Sequence, residues 1–84
     1  MAGTLSLDAV RRGLLAELET ILAVDLSPDD ARKPLPELGV DSLGLVELFV
    51  AVETRFGVKL MELGLARADL ETIDAMAAAI CRGA

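Results

Sequence analysis

Apolar residues recur three or four positions apart in several stretches of this chain, a spacing that places them on one face of an α-helix. The first stretch predicts helix I over about residues 6–24, with Ser6 as its N-cap. Its apolar face consists of Leu7, Val10, Leu14, Leu18 and Ile21. Gly13 lies inside this helix, where a glycine costs about 1 kcal/mol relative to alanine.

Residues 25–41 lack the helical spacing and are predicted to form a long loop. A turn is expected around Pro28. Pro34 and Pro36 oppose a regular helix through residues 34–36, because proline has no backbone N–H to donate. Loops of this length without secondary structure are uncommon in compact domains and are often functional. This one ends immediately before Ser42.

The next apolar stretch predicts helix II over about residues 42–56. Either Asp41 or Ser42 serves as its N-cap, and Gly57 is expected to end it in the left-handed conformation. Its apolar residues form two stripes about 140° apart, since each residue turns by about 100°. The stripe assigned to the core contains Leu45, Leu48, Phe49, Val52 and Phe56. The second stripe contains Leu43, Val46 and Val50.

The second stripe of helix II has two interpretations. Glu47 and Glu53 flank it, and an apolar strip edged by acids is typical of a contact surface for a basic protein partner. Alternatively, helix II lies at the centre of the bundle and is buried on both sides. The pattern alone favours neither interpretation over the other.

Two further segments complete the predicted fold. A short helix is expected at about residues 59–65, between Gly57 and Gly64, and a last helix at about 69–82 with Asp69 as its cap. The apolar face of the last helix consists of Leu70, Ile73, Met76, Ala77 and Ile80. The sequence therefore predicts an all-α bundle of three main helices plus one short helix, in a single domain.

Composition supports helices and narrows the range of partners. Hydrophobic residues make up 54% of the 84 residues, yet Phe49 and Phe56 are the only aromatic ones, and strands favour aromatic and β-branched residues. A net charge of −6 with no basic stripe argues against nucleic-acid binding. No apolar run approaches the ~20 residues that span a bilayer, and no signal peptide is evident. We therefore expect a cytoplasmic monomer with no membrane partner.

The side chains that catalysis requires are missing. A nucleophilic serine needs a neighbouring base, and the chain has no histidine and only two lysines, Lys33 and Lys59. The absence of histidine and the presence of one cysteine, Cys81, exclude the common metal sites. Ser42 stands where backbone N–H groups and the positive end of a helix dipole suit a phosphodiester. Taken alone, however, Ser42 is better explained as a helix cap.

A wider pattern around Ser42 resembles the acyl carrier protein family. It comprises Leu-Gly-Val-Asp-Ser-Leu at 38–43, Val-Glu-Leu at 46–48 and Phe-Gly at 56–57. The resemblance implies that Ser42 carries a covalent 4′-phosphopantetheine, whose thiol holds acyl groups as thioesters. It also implies that Asp41 lies close to the metal of the phosphopantetheinyl transferase during modification. The residues that match the family's docking face are Leu43, Val46, Glu47, Val50 and Glu53.

The resemblance also implies the class of partners: a phosphopantetheinyl transferase, and the acyl-loading, condensing and modifying enzymes of a synthase. Carriers that serve fatty-acid synthesis usually have an acid at the position of Gly44 and further acids at the positions of Thr54 and Arg55. These departures suggest a discrete carrier of a polyketide or other specialised pathway. Two alternatives stay open: an aminoacyl or peptidyl carrier of nonribosomal peptide synthesis, and an unmodified helical adaptor.

Overall fold

The computed structural model describes residues 6–83. Three α-helices form the bundle: α1 (Leu7–Leu22), α2 (Ser42–Phe56) and α3 (Ile73–Gly83). Four short 3-10 helices lie between them, at Pro28–Arg32, Leu35–Leu38, Leu60–Glu62 and Arg67–Leu70. No strand occurs among the described residues. The prediction of a small all-α bundle is confirmed.

Helix α1 begins as its sequence predicts and ends two residues early. The hydroxyl of Ser6 accepts a hydrogen bond from the Ala9 N–H at 3.0 Å, so Ser6 is the N-cap. The helix stops at Leu22 because Ala23 adopts the left-handed conformation, with φ of 56°. The Glu19 carboxylate then accepts the Leu26 N–H at 2.8 Å, which directs the chain back toward the bundle.

The segment predicted as one long loop contains two 3-10 helices, so that prediction is wrong in part. Proline is tolerated in the first turn of a helix, where its missing N–H would have no partner, and Pro28 and Pro36 occupy such positions. Buried Ala31 and Leu35 hold the two 3-10 helices against the core. The Leu35 N–H also donates to the Glu71 carbonyl at 2.9 Å, which joins this segment to the residues before α3.

Helix α2 spans the residues that the pattern indicates. Leu48 and Val52 are completely buried, and the rest of the stripe assigned to the core packs partly buried around them. Gly57 ends the helix with φ of 71°, and its N–H donates to the Glu53 carbonyl at 2.9 Å. The assignment of this face to the core is therefore correct.

The short helix is smaller than expected. Only Leu60–Glu62 is helical, as a single 3-10 turn, against the predicted 59–65. Buried Leu60 fixes the turn to the core, and Gly64 with φ of 66° reverses the chain soon after it. The brevity follows from these two constraints, because a buried anchor and a left-handed reversal lie only four residues apart.

The last helix begins at Ile73, so the prediction that Asp69 caps it is wrong. Asp69 lies in the 3-10 helix Arg67–Leu70, and its carboxylate accepts the Ala66 N–H at 3.0 Å. The N-terminal cap of α3 is supplied by Thr72, whose hydroxyl accepts the Ala75 N–H at 3.0 Å. Asp69 instead pairs with Arg82 in the last turn of α3, at 3.2 Å.

Candidate functional site

The junction before α2 has a well-defined backbone. Gly39, with φ of 98°, ends the preceding 3-10 helix, and the N–H of buried Val40 donates to the Leu35 carbonyl at 3.1 Å. Asp41 is extended, and its Oδ1 accepts the Gly44 N–H at 2.8 Å. Of the two candidates for the N-cap, the structure therefore identifies Asp41.

Ser42 occupies the first helical position and is exposed. Its hydroxyl forms no hydrogen bond with any residue of the range 6–83, in contrast with the hydroxyl of Ser6, which caps α1. The first backbone N–H groups of a helix have no partner within the helix, and the dipole makes this end positive. The position suits an anionic ester of the Ser42 hydroxyl.

A cavity of about 500 Å³ lies beside Ser42. Its walls come from the 3-10 helix Leu35–Leu38, the start of α2 and the 3-10 helix Arg67–Leu70. The apolar lining consists of Leu35, Pro36, Val40, Leu45 and Leu70. The polar lining consists of Asp41, Ser42, Arg67 and Glu71. Arg67, Leu70 and Glu71 are at least 25 residues away from Ser42 along the chain, so local sequence pattern gives no sign that they lie beside it.

The second stripe of α2 points outward. Leu43 is 68% exposed, Val46 56% and Val50 60%, so α2 is not buried on both sides. These three residues are called the outward strip below. Glu47 and Glu53 beside it are exposed, and neither forms an ion pair with another residue of the described range. The structure thus presents an apolar strip with two acids beside it.

A groove follows each side of the outward strip. The one toward Leu60–Glu62 has a volume of about 410 Å³ and is mostly apolar, with half-buried Phe49 and Met61, which is 80% exposed. The other lies between α1 and α2, where Arg55 pairs with Glu17 at 2.9 Å. The charge of Arg55 is therefore compensated by Glu17 and does not cancel the charges of Glu47 and Glu53 beside the outward strip.

Most of the chain matches one known protein family. Residues 12–80 match the family described as a phosphopantetheine attachment site, which covers most of α1, all of α2 and most of α3. The chain belongs to this carrier family. Its domains are the site of covalent 4′-phosphopantetheine attachment, and the match is consistent with an acyl carrier protein. No solved structure matches the chain.

The residues at the α2 junction fit the group that this carrier family holds. 4′-Phosphopantetheine is attached through a phosphodiester, which needs an accessible hydroxyl in a positive environment. Ser42 supplies an exposed hydroxyl at a helix N-terminus, and Arg67 supplies a cation in the adjacent cavity. When bound, the group supplies a flexible arm ending in a thiol, a function that no side chain of this carrier provides.

Metal-binding clusters and membrane-spanning helices are both absent from the described part of the chain. Within residues 6–83, no group of three or more His, Cys, Asp or Glu side chains is placed to hold a metal ion. No helix of the same range is both long and apolar enough to cross a membrane.

Proposed function

We propose that this chain is an acyl carrier protein that holds acyl groups as thioesters on a 4′-phosphopantetheine attached to Ser42. The observation that carries the proposal is the division of roles at the α2 junction. Asp41 caps the helix, so the exposed Ser42 hydroxyl has no structural role among the described residues. Within a family defined by phosphopantetheine attachment, a serine in this position is the natural acceptor.

Attachment is a phosphoryl transfer from coenzyme A. The Ser42 Oγ bonds to the phosphorus next to the pantetheine, the bond from that phosphorus to the nucleotide phosphate breaks, and the hydroxyl proton passes to a base. This chain has no histidine, and Asp41 Oδ1 is engaged by the Gly44 N–H. We expect the transferase to supply the base and the metal. Asp41 Oδ2 forms no hydrogen bond within the described residues, so this oxygen is available to contact that metal.

The outward strip is the proposed docking face for the transferase and for the acyl-loading, condensing and modifying enzymes. It places apolar contacts at its centre and the acids Glu47 and Glu53 beside them. Opposite charges across an interface raise the association rate and reject wrong partners more than they raise affinity. Partners with an apolar recess flanked by basic side chains fit this surface. The carrier catalyses no step itself.

The proposed cargo is an acyl group of a polyketide or other specialised pathway. Arg55 replaces an acid late in α2 and pairs with Glu17, so the surface near Thr54 and Arg55 is less negative than in the fatty-acid type of carrier. An aminoacyl or peptidyl cargo is the alternative. Incubating the modified carrier with acyl-transferring and with aminoacyl-adenylating enzymes separates the two by the mass that it gains.

An unmodified helical adaptor is the second candidate function, because the exposed outward strip by itself suits a protein partner. Intact mass spectrometry after incubation with a phosphopantetheinyl transferase and coenzyme A distinguishes it from a carrier. We expect one phosphopantetheinyl addition on the wild type and none on Ser42→Ala. A wild type that gains no mass would contradict the carrier function and favour the adaptor.

Two matched serine variants control the assignment of the site. Ser6 is also exposed at the start of an α-helix, and Ser27 is exposed before a 3-10 helix. Ser6→Ala and Ser27→Ala are expected to gain the same mass as the wild type. Addition to Ser42→Ala, or its loss in either control with the fold retained, would show that Ser42 is not the attachment site.

A further inference from the structure

We infer that the cavity beside Ser42 binds the phosphate end of the prosthetic arm, with Arg67 as the cation that holds the phosphodiester. The inference deepens the proposed function, since it requires the arm to be attached at Ser42. It assigns a ligand to a side chain that lies far from the attachment site in the sequence.

Among the described residues, Arg67 is the only lysine or arginine that lines this cavity. It is exposed and forms no ion pair with another residue of the range 6–83, whereas Arg11, Arg12, Arg32, Arg55 and Arg82 each pair with a carboxylate. A guanidinium presents several N–H donors in one plane, which matches the oxygens of a phosphate. Arg67 is therefore available for an anion, in contrast with those five arginines.

The other charges of the cavity make a cation necessary. Asp41 and Glu71 also line it, and both would repel a phosphodiester at Ser42. Asp41 is directed toward the Gly44 N–H, and the backbone carbonyl of Glu71 accepts the Leu35 N–H. These bonds hold the walls that carry the two carboxylates. Arg67 supplies the positive charge that allows the phosphodiester to turn toward the cavity instead of away from it.

The apolar walls fit the part of the arm next to the phosphate. In 4′-phosphopantetheine a carbon bearing two methyl groups lies close to the phosphate oxygen. Leu35, Leu45 and Leu70 line the cavity and are buried or partly buried, so they form a fixed apolar wall. The volume of about 500 Å³ lies within the range of about 300–1,000 Å³ that is usual for small-molecule sites. Phosphate on Arg67 and methyl groups on the leucines thus match the cation and the apolar wall of the cavity.

Nuclear magnetic resonance of the modified protein tests the inference. Coenzyme A with isotope-labelled pantoyl methyl groups is used to modify the wild type, and intact mass confirms one addition at Ser42. We expect nuclear Overhauser contacts from the pantoyl methyl groups to the methyl groups of Leu35, Leu45 and Leu70. In Arg67→Gln we expect these contacts to weaken by about twofold to fivefold, equivalent to about 0.4–1 kcal/mol, the usual range of an exposed charge pair.

Lys59→Gln is the matched control. Lys59 is another exposed cation without an ion pair among the described residues, but it lines the groove near Met61 and not this cavity. Its removal should leave the contacts unchanged. The phosphorus resonance should also depend on salt concentration in the wild type and in Lys59→Gln, and less so in Arg67→Gln, because salt screens an exposed charge pair.

The possible failures are separable. If the wild type gains no mass, the proposed function fails and the inference fails with it. If the mass is gained but the pantoyl methyl groups show no contact with the three leucines, the carrier function stands and the cavity is not the binding site. If the contacts are present and Arg67→Gln weakens them no more than Lys59→Gln does, Arg67 does not hold the phosphodiester.

Discussion

Replacing Gly13 by alanine separates helix propensity from packing in α1. Gly13 is buried in the interior of the helix, where Gly→Ala normally stabilises. A Cβ added at this position, however, would lie 2.7 Å from Phe56 Cζ and 3.0 Å from Arg55 Nε. Phe56 packs partly buried against the core and Arg55 is tied to Glu17 at 2.9 Å, so each of these side chains must leave existing contacts to make room. We therefore expect Gly13→Ala to destabilise the fold.

The magnitude follows from two opposing effects. Helix propensity favours the alanine by about 0.5–1 kcal/mol. Forcing a methyl group into a filled site costs about 1–3 kcal/mol. The expected net loss in the free energy of unfolding is about 1 kcal/mol, since the middle of the second range exceeds the middle of the first by that amount. For a domain of this size it lowers the midpoint of thermal unfolding by about 4–8 °C.

Gly44→Ala is the matched control for this experiment. Gly44 is also a buried glycine of a helix, but its added Cβ would meet only ordinary contacts, the nearest being Asp41 Oδ1 at 3.4 Å. We expect Gly44→Ala to be neutral or to stabilise by up to about 1 kcal/mol. Urea denaturation followed by far-ultraviolet circular dichroism measures both variants, with the transition treated as two-state.

Phe56→Leu completes the test, because it removes the ring atoms that the new Cβ would meet. In that background Gly13→Ala should become stabilising, so the coupling energy between the two sites should be about 1–2 kcal/mol. Should Gly13→Ala stabilise the wild type as much as Gly44→Ala does, the ring moves without cost. The packing argument for Gly13 would then be refuted.

Two further predictions concern the surface. Glu47→Lys should slow modification by the transferase, because it reverses a charge beside the outward strip. Asp25→Lys makes an equal charge change in a groove that contains no residue of the strip, so it should not slow modification. Equal rates for the two variants in a mass-based time course would contradict the docking face. The pKa of Asp69 lies below its ordinary value of 3.8, chiefly because the Ala66 N–H donates to its carboxylate and also because Arg82 lies beside it. The ionised carboxylate therefore stabilises the fold above pH 3.8, and this stabilisation is lost as the pH falls through the lowered pKa. Asp69→Asn should therefore reduce the free energy of unfolding at neutral pH and make that free energy fall less steeply as the solution is acidified. Urea titrations at several pH values measure both effects. An unchanged acid dependence would contradict the assigned cause.

The sequence was sufficient to predict the features that depend on local periodicity. The two stripes of α2 follow from the helical repeat alone, and Leu48 and Val52 are indeed buried while Leu43 and Val50 are exposed. Gly57 ends α2 because few other residues adopt a positive φ at low cost. The choice between a contact surface and a helix buried on both sides could not be made from the pattern. It depends on how many neighbours pack around α2, which is a property of the whole bundle.

The missed features depend on long-range contacts or on close competition between local bonds. The sequence predicts Asp69 as the cap of the last helix, but Thr72 caps it. Asp69 is held instead by the Ala66 N–H and by Arg82, thirteen residues later in the chain. The 3-10 helices of residues 28–38 form because burial of Ala31 and Leu35 compensates for a weak local preference. The prolines of this segment indicate breaks in regular helix, but proline in a first turn is also a helix signal, so the pattern alone does not reveal these two short helices.

The same anchoring explains how a small bundle can present a flexible arm at a defined place. The hydrogen bonds from Leu35 to Glu71 and from Val40 to Leu35 tie the residues before Ser42 to the segment that precedes α3. Ser42 is therefore a fixed point, and the outward strip begins at the next residue. Leu43 and Val50 are seven residues apart, about 10 Å along a helix that rises 1.5 Å per residue. A partner that recognises the strip thus also fixes the origin of the arm within one turn of its own contact surface. On the proposed function, selection of the partner and delivery of the cargo are then set by a single helix.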